Sequence, residues 1–232
     1  MTPRTPALSA ALFDLDGTLS DPAVGITRCI RHALETLGHE IPAAESLFRF
    51  IGPPLRETFA TLLAPGNPAA IEKAVALYRE RFGEIGLFEN RIYPGIRELL
   101  ARLEELDYRI LLATSKPIVY ADRILRHFSI ADHFEAVYGP ELDGHNDNKT
   151  EMVRFLLREE RLDPAETALV GDRRQDMEAA RQNGLFAIGV AYGFGSETEL
   201  ASAGADLVVR DPAALRSLLE RARAEADTPH KE

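Results

Sequence analysis

The chain has 232 residues, 45% of them apolar and 28% charged, with a formal net charge of −10 at pH 7. That size suits one large domain, or a medium domain carrying a smaller insertion. The acidic balance excludes a nucleic acid polymer, whose partners cluster Lys and Arg, and argues against an anionic membrane surface. Cys29 is the only cysteine, which rules out an internal disulfide and a thiolate metal cluster and leaves a small buried hydrophobe as its reading. No apolar run approaches the ~18 residues of a membrane span. The Met1–Pro6 stretch lacks a signal peptide's apolar region, so a soluble cytoplasmic protein is expected.

The run Leu8–Phe13 predicts a first, fully buried strand leading into Asp14-Leu15-Asp16-Gly17-Thr18. Asp21-Pro22 predicts a helix start, with Asp21 as N-cap and Pro22 at the first helical position, and the helix runs over 23–37 to Gly38. From Pro42 to Phe88 only helical periods and breakers occur. They predict helices over 43–50, 55–63 and 69–82, broken at Gly52-Pro53-Pro54 and at a Pro65-Gly66-Asn67-Pro68 turn. From Pro94 strands and helices alternate, with strands expected over 108–113, 136–138, 167–170, 186–190 and 207–209. Helices are expected over 95–106, 118–128, 150–160, 177–183 and 213–222, followed by a frayed polar tail over 225–232. Alternation of this kind means βαβ units and a parallel sheet covered on both faces. The expected architecture is an α/β, doubly wound (Rossmann-like) core formed by 1–20 and 91–232. An all-helical domain over 21–90 is inserted after the first strand.

Two carboxylates, Asp14 and Asp16, close the first apolar run. Side chains two apart on a strand share a face, so the pair is expected to point into one volume, where each anion raises the other's pKa unless a cation or donors compensate. Such a pair binds a hard cation through oxygen, performs paired acid–base chemistry, or is only an acidic turn at a strand end. Gly17 and Thr18 allow a sharp turn whose N–H groups suit an anion. Two more strands end in polar residues: 110–113 in Thr114-Ser115-Lys116, and 168–170 in Gly171-Asp172. Ligands of open parallel sheets bind at the carboxyl ends of the strands near the switch point, so these distant residues are expected to meet.

The segments Phe13-Asp14-Leu15-Asp16-Gly17-Thr18-Leu19, Thr114-Ser115-Lys116-Pro117, Lys149 and Gly171-Asp172-Arg173-Arg174-Gln175-Asp176 resemble the four ordered motifs of the haloacid dehalogenase superfamily. The likeness covers nearly the whole chain, including a helical cap between the first two motifs. Phe50-Ile51-Gly52-Pro53-Pro54-Leu55-Arg56, Tyr93-Pro94-Gly95, Glu141-Leu142-Asp143-Gly144 and Ala191-Tyr192-Gly193-Phe194-Gly195-Ser196 are similar to the phosphoglycolate-phosphatase-like branch, and most to its 5′-nucleotidase-like members.

The resemblance implies a Mg²⁺-dependent phosphatase working through an aspartyl-phosphate. Asp14 would be the nucleophile and Asp16 the general acid and base. Mg²⁺ would be held by Asp14, Asp172 and the Asp16 backbone carbonyl, with Asp176 supporting from behind. Gly17, Thr114, Ser115 and Lys149 would bind the phosphoryl oxygens; alone, Lys149 reads as a solvated lysine at a helix start. Arg56 in the cap, Lys116 and Arg173 are candidate substrate-reading residues. Arg173 stands where many phosphoglycolate-type members have a small hydroxyl residue, which favours the nucleotidase-like members. The expected partner is a small phosphorylated metabolite, a 5′-nucleotide first, acted on by a monomer or homodimer. Phosphoglycolate or another small phosphate is the alternative, then an intramolecular sugar phosphomutase, and outside catalysis an inactive phosphometabolite sensor.

Overall fold

The computed structural model describes residues 6–63, 67–143 and 147–226. Its chain order begins β1 (Ala10–Phe13), β2 (Ser20–Asp21), α1 (Ala23–Thr36), a 3₁₀ segment (Ala44–Phe50), α2 (Leu55–Leu62), α3 (Pro68–Arg81) and a π-helical turn (Phe82–Gly86). It continues with β3 (Arg91–Ile92), α4 (Ile96–Glu105), β4 (Arg109–Ala113), α5 (Ile118–His127), β5 (Ala136–Tyr138) and α6 (Lys149–Glu159). The last elements are β6 (Thr167–Gly171), α7 (Arg174–Asn183), β7 (Phe186–Val190), α8 (Glu197–Ala203), β8 (Leu207–Val209) and α9 (Pro212–Ala226). Among the described residues no helix is long and apolar enough to cross a membrane.

Six strands form one parallel sheet in the order β5-β4-β1-β6-β7-β8. From β1 the chain fills one side through β4 and β5. It then returns to the free edge of β1 with β6 and builds outward through β7 and β8. The direction of winding therefore reverses between β1 and β6, which is the switch point of a doubly wound sheet. The register aligns Phe13 with Leu112 on one side and Val170 on the other, so β1, β4 and β6 present their carboxyl ends side by side.

Strand alternation sends Leu12, Leu111, Ala113, Leu169 and Ala187 to one face. There they pack with Met152, Val153, Leu156 and Leu157 of α6, Met177, Ala179 and Ala180 of α7, and Leu200 and Ala203 of α8. Ala11, Phe13, Ile110 and Leu112, also buried, point the other way. Both faces of the central strands are apolar because helices cover both, as parallel sheets require.

The chain divides into two compact units, 1–19 with 92–232, and Ser20–Arg91. The first contains the six-stranded sheet. In the second, α1 packs on α3 and on the π turn, and α2 on α3. Tyr78 stacks on Phe82 with ring centroids 5.4 Å apart and meets Phe59 edge-on at 6.4 Å.

Several boundaries differ from the sequence reading. The first helix begins at Ala23, with Pro22 preceding it rather than inside it; Asp21 Oδ1 still accepts the Ala23 N–H, at 2.9 Å. The 44–50 stretch is wound as 3₁₀, and the expected helix over 69–82 opens instead at Pro68 behind the Asn67 cap. The sixth helix starts one residue early, at Lys149, because Asn148 caps it by accepting the Glu151 N–H. α7 starts at Arg174 rather than Met177, and α8, not anticipated, is capped by Ser196 accepting from Glu199. Glu225 and Ala226 remain in α9 instead of fraying. The Pro65-Gly66 part of the expected turn, Gly144, and the tail over 227–232 lie outside the described residues.

Arg81 organises the polar interior of the helical unit. Its guanidinium donates to both carboxylate oxygens of Glu89, at 2.8 and 3.2 Å, and to Cys29 Sγ at 3.1 Å, while Arg28 donates to Glu89 at 2.6 Å. Cys29 is fully buried, as its apolar reading required. The Arg81 hydrogen bond holds the Glu89 carboxyl below its ordinary pKa against the opposing pull of burial, with Arg28 adding to it. A depressed carboxyl stabilises the fold above its unfolded pKa and loses that contribution as pH falls through the folded value. Glu89→Gln is expected to cost on the order of 1–2 kcal/mol at pH 7, with the gap to wild type narrowing as pH falls below the ordinary carboxyl range and Glu89 itself protonates. Urea unfolding of both proteins at pH 7 and pH 3 checks this, and a gap of equal size at both values would refute it.

Candidate active site

β1 stops at Phe13, and the Asp14 N–H still donates to Val170 O of β6 at 2.9 Å. That bond fixes the Asp14 backbone between the two strands. The chain then turns at Gly17, whose φ of +83° lies in the left-handed region where a Cβ is strained. A Cβ there would also sit 2.1 Å from Asp172 Oδ2, so only glycine lets the turn pass the Asp172 carboxylate. Tyr192 anchors the far side of the turn, its hydroxyl donating to Thr18 O at 3.0 Å.

Leaving the strand gives the two carboxylates different partners. The expected shared volume assumed strand alternation through Asp16, which ends with β1. Asp14 turns to Lys149, with Nζ 2.8 Å from Oδ1, while Asp16 turns to Lys116, with Nζ 2.7 Å from Oδ2. Lys149 also contacts Asp176 Oδ1, and Asp176 Oδ2 accepts the Arg173 N–H at 2.9 Å, closing the first turn of α7. Lys149 is thus a buried ion-pair partner, only 6% exposed, and not a solvated helix-start lysine. Asp172 is fully buried, and its Oδ2 accepts the Phe194 N–H at 2.7 Å. Just past β4, the Thr114 N–H donates to Tyr138 O at 2.9 Å, and the Thr114 hydroxyl accepts from the Lys116 N–H at 3.2 Å. Ser115, half-buried, lies between them.

Burial and neighbouring charge set the proton affinities. Burial, then the charges of Asp176 and Asp14, push Asp172 well above the ordinary carboxyl range. Burial also raises Asp16, opposed by Lys116 and assisted by the Asp14 charge. For Lys149 burial acts against the charged form, but Asp14 and Asp176 outweigh it and the ammonium is held charged far above neutrality.

Asp14, Asp172 and Asp176 each offer a carboxylate oxygen within 4.8 Å of the others. Asp172 Oδ1 is buried without a hydrogen-bond partner. An unpartnered buried carboxylate oxygen is costly, and a hard divalent cation with oxygen ligands is the partner that removes the cost. The donor set, all oxygen with no imidazole or thiolate, fits such an ion.

Residues 11–190 match the haloacid dehalogenase-like hydrolase family. The chain belongs to that family. A 5′-nucleotidase of Pseudomonas aeruginosa is 47% identical over 209 residues, 90% of this chain and 94% of that protein. Tyrosine-protein kinase PtkA of Mycobacterium tuberculosis is 38% identical over 184 residues, 79% of this chain and 62% of PtkA. Among solved structures, a predicted phosphatase from Clostridium acetobutylicum superposes with a TM-score of 0.87 at 36% identity, covering 92% of this chain and 99% of that one. Within the family the chain stands with the phosphoric monoester hydrolases.

Asp14, Asp16, Gly17, Thr114, Ser115, Lys116, Lys149, Asp172, Arg173 and Asp176 all lie in the sheet-containing unit, around the carboxyl ends of β1, β4 and β6. The Arg173 side chain points to Glu199 of α8, at 3.1 Å. Arg56 lies in the helical unit, where it is paired with Glu72 at 2.6 Å in an exposed position. Two partners escaped the sequence reading. The Phe194 amide on Asp172 and the Tyr192 hydroxyl on Thr18 belong to the Tyr192-Gly193-Phe194-Gly195 stretch, whose glycines were the available signal. A Cβ on Gly193 would lie 2.4 Å from both Asp172 Cβ and Gly17 O, so this loop must run bare against the site.

Asp172 gives a stability test with two signs. In EDTA, Asp172→Asn is expected to raise Tm by a few degrees, because it removes a buried carboxyl whose ionised form burial and its acidic neighbours disfavour. In millimolar Mg²⁺ wild type is expected to gain stability by mass action and the variant to gain little. Thermal unfolding in the two buffers checks the crossover, and an equal Mg²⁺ response in both proteins would remove Asp172 from the cation site.

Proposed function

We propose that this protein is a Mg²⁺-dependent phosphatase of small cytoplasmic phosphomonoesters, with 5′-nucleotides as its preferred class. The observation that carries the reading is the convergence of Asp14, Asp172, Asp176 and Lys149 at the switch point. It combines a cation-binding cluster with a buried ammonium directly on the proposed nucleophile. The 47% identity to a 5′-nucleotidase over nine-tenths of the chain supports the nucleotide class.

Asp14 attacks phosphorus in line, forming an aspartyl-phosphate as the ester P–O bond breaks. Asp16 gives its proton to the departing alkoxide. It then takes a proton from the water that attacks the phosphoryl group, and the bond to Asp14 breaks to release phosphate. Lys149, the Thr114 hydroxyl, the Ser115 N–H and the Gly17 turn bind the phosphoryl oxygens as charge redistributes. Asp14, Asp172 and the Asp16 carbonyl would hold Mg²⁺, with Asp176 behind, and the bound ion would supply the positive charge that lets a carboxylate approach an anionic phosphate. Arg56 is the first cap residue to test for substrate reading. Its pairing with Glu72 is exposed and therefore weak enough to exchange for a ligand anion.

The test is phosphate release from 5′-nucleotides, phosphoglycolate and sugar phosphates, with Mg²⁺ and with EDTA. Mg²⁺-dependent release peaking on nucleotides is expected, and Asp14→Asn is expected to abolish it while Tm stays near wild type. A peak on phosphoglycolate would overturn the substrate class and keep the chemistry. Binding without release from any compound would favour a sensor.

A further inference from the structure

Lys116 is nine-tenths buried, yet no step above uses it. It rises from the strand end after β4, and its ammonium lies 2.7 Å from Asp16 Oδ2. The other Asp16 oxygen, Oδ1, is buried and makes no hydrogen bond. The two oxygens of the proposed acid are therefore inequivalent before any substrate arrives. Two further contacts fix Lys116. Its backbone N–H donates to the Thr114 hydroxyl at 3.2 Å, and a Cβ on Gly139 would come within 2.6 Å of its carbonyl, so β5 and the loop after it press on the same backbone.

We propose that Lys116 is a positioning residue that holds Asp16 through Oδ2 and so reserves Oδ1 as the atom that carries the proton to the leaving group. This inference rests on the phosphatase reading above. A carboxyl protonated on Oδ1 still accepts the Lys116 N–H at Oδ2, so the contact survives in both protonation states. It strengthens once the proton has left and the carboxylate is charged. An interaction stronger after proton transfer than before stabilises the transition state over the ground state. It also removes the rotation that would exchange the two oxygens, and a misplaced acid costs rate steeply.

The role predicts a signature that damage to the fold does not share. In kcat/KM, which reports steps through transfer to Asp14, an alkyl phosphate such as AMP needs its leaving alkoxide protonated. p-Nitrophenyl phosphate does not. Lys116→Met, which removes the donor at similar length, is expected to lower kcat/KM for AMP on the order of 10- to 100-fold, as part of the roughly 10²–10⁴ that acid catalysis contributes. The loss on p-nitrophenyl phosphate is expected to stay within about 3-fold, since the rest of the transfer machinery is untouched. Lys116→Gln, keeping a neutral donor, should fall between, and Lys116→Arg should recover most of the AMP rate. The inhibition constant of inorganic phosphate should stay within about 2-fold of wild type, because the positioning role assigns the ammonium to Asp16 and not to the phosphoryl group.

Asp16→Asn, assayed in parallel, separates the two ideas. If Asp16→Asn discriminates between the substrates and Lys116→Met lowers both equally, the positioning role fails and the acid role stands. If Asp16→Asn itself shows no discrimination, acid catalysis by Asp16 fails and this inference falls with it. A large rise in the phosphate inhibition constant of Lys116→Met would make Lys116 a phosphate ligand instead.

Discussion

Everything at the carboxyl edge of the sheet follows from four carboxylates buried together. Asp14, Asp16, Asp172 and Asp176 are gathered there, and Lys116 and Lys149 are the ammonium groups in contact with them. Two formal negative charges remain uncovered. Desolvated like charges raise one another's proton affinity, and the effect falls hardest on Asp172, which no lysine among the described residues touches and whose Oδ1 has no hydrogen-bond partner. A fold does not keep such an arrangement for stability, because apolar replacements of similar volume serve at least as well. The deficit matches the charge of one divalent cation, and oxygen-only ligands select a hard one.

The sheet makes this crowding possible. Reversal of winding at β1 brings β6, more than 150 residues away in sequence, into register beside it. The first acidic motif and the Gly171-Asp172 motif thereby become neighbours, with Thr114 delivered from the opposite side by β4. Glycine then supplies the missing room. Gly17 and Gly193 each face Asp172 at distances no Cβ tolerates, so the turn and the loop close over the carboxylate with backbone alone. Excluding water in this way strengthens every charge interaction inside the site.

The sequence made the fold and most of the site legible because both are written in local chemistry. Apolar runs of four to five residues, helical periods and strand-end polar residues each announce themselves within a short window, and the topology rule carries strand-end residues to one edge. What stayed illegible depends on where a backbone stops being regular. Strand alternation placed Asp14 and Asp16 together, but β1 ends one residue before the first of them, and that decides which lysine each one meets. Lys116 could not be assigned from its neighbours, since only the fold aims it at Asp16. The Phe194 amide and the Tyr192 hydroxyl act through a loop with no periodic pattern; its family-like Ala191–Ser196 stretch and two closely spaced glycines marked it in sequence, but nothing local aims its amide at Asp172 or its hydroxyl at Thr18. Lys149 was ambiguous for a different reason. A lysine at a helix start is ordinarily solvated, and its burial depends on Asn148 capping the helix one residue earlier than the apolar pattern implied.

The separate lysines also give two aspartates two residues apart different surroundings, as the proposed division of roles between them requires. A nucleophile must stay ionised, whereas an acid must hold a proton and then release it. Asp14 shares an ammonium with Asp176, and those two carboxylates keep Lys149 charged against the cost of its burial. Asp16 sits in a different balance, where burial and the Asp14 charge favour the protonated form and Lys116 opposes them. The difference comes from the end of a strand: were β1 to continue through Asp16, alternation would return both side chains to one face.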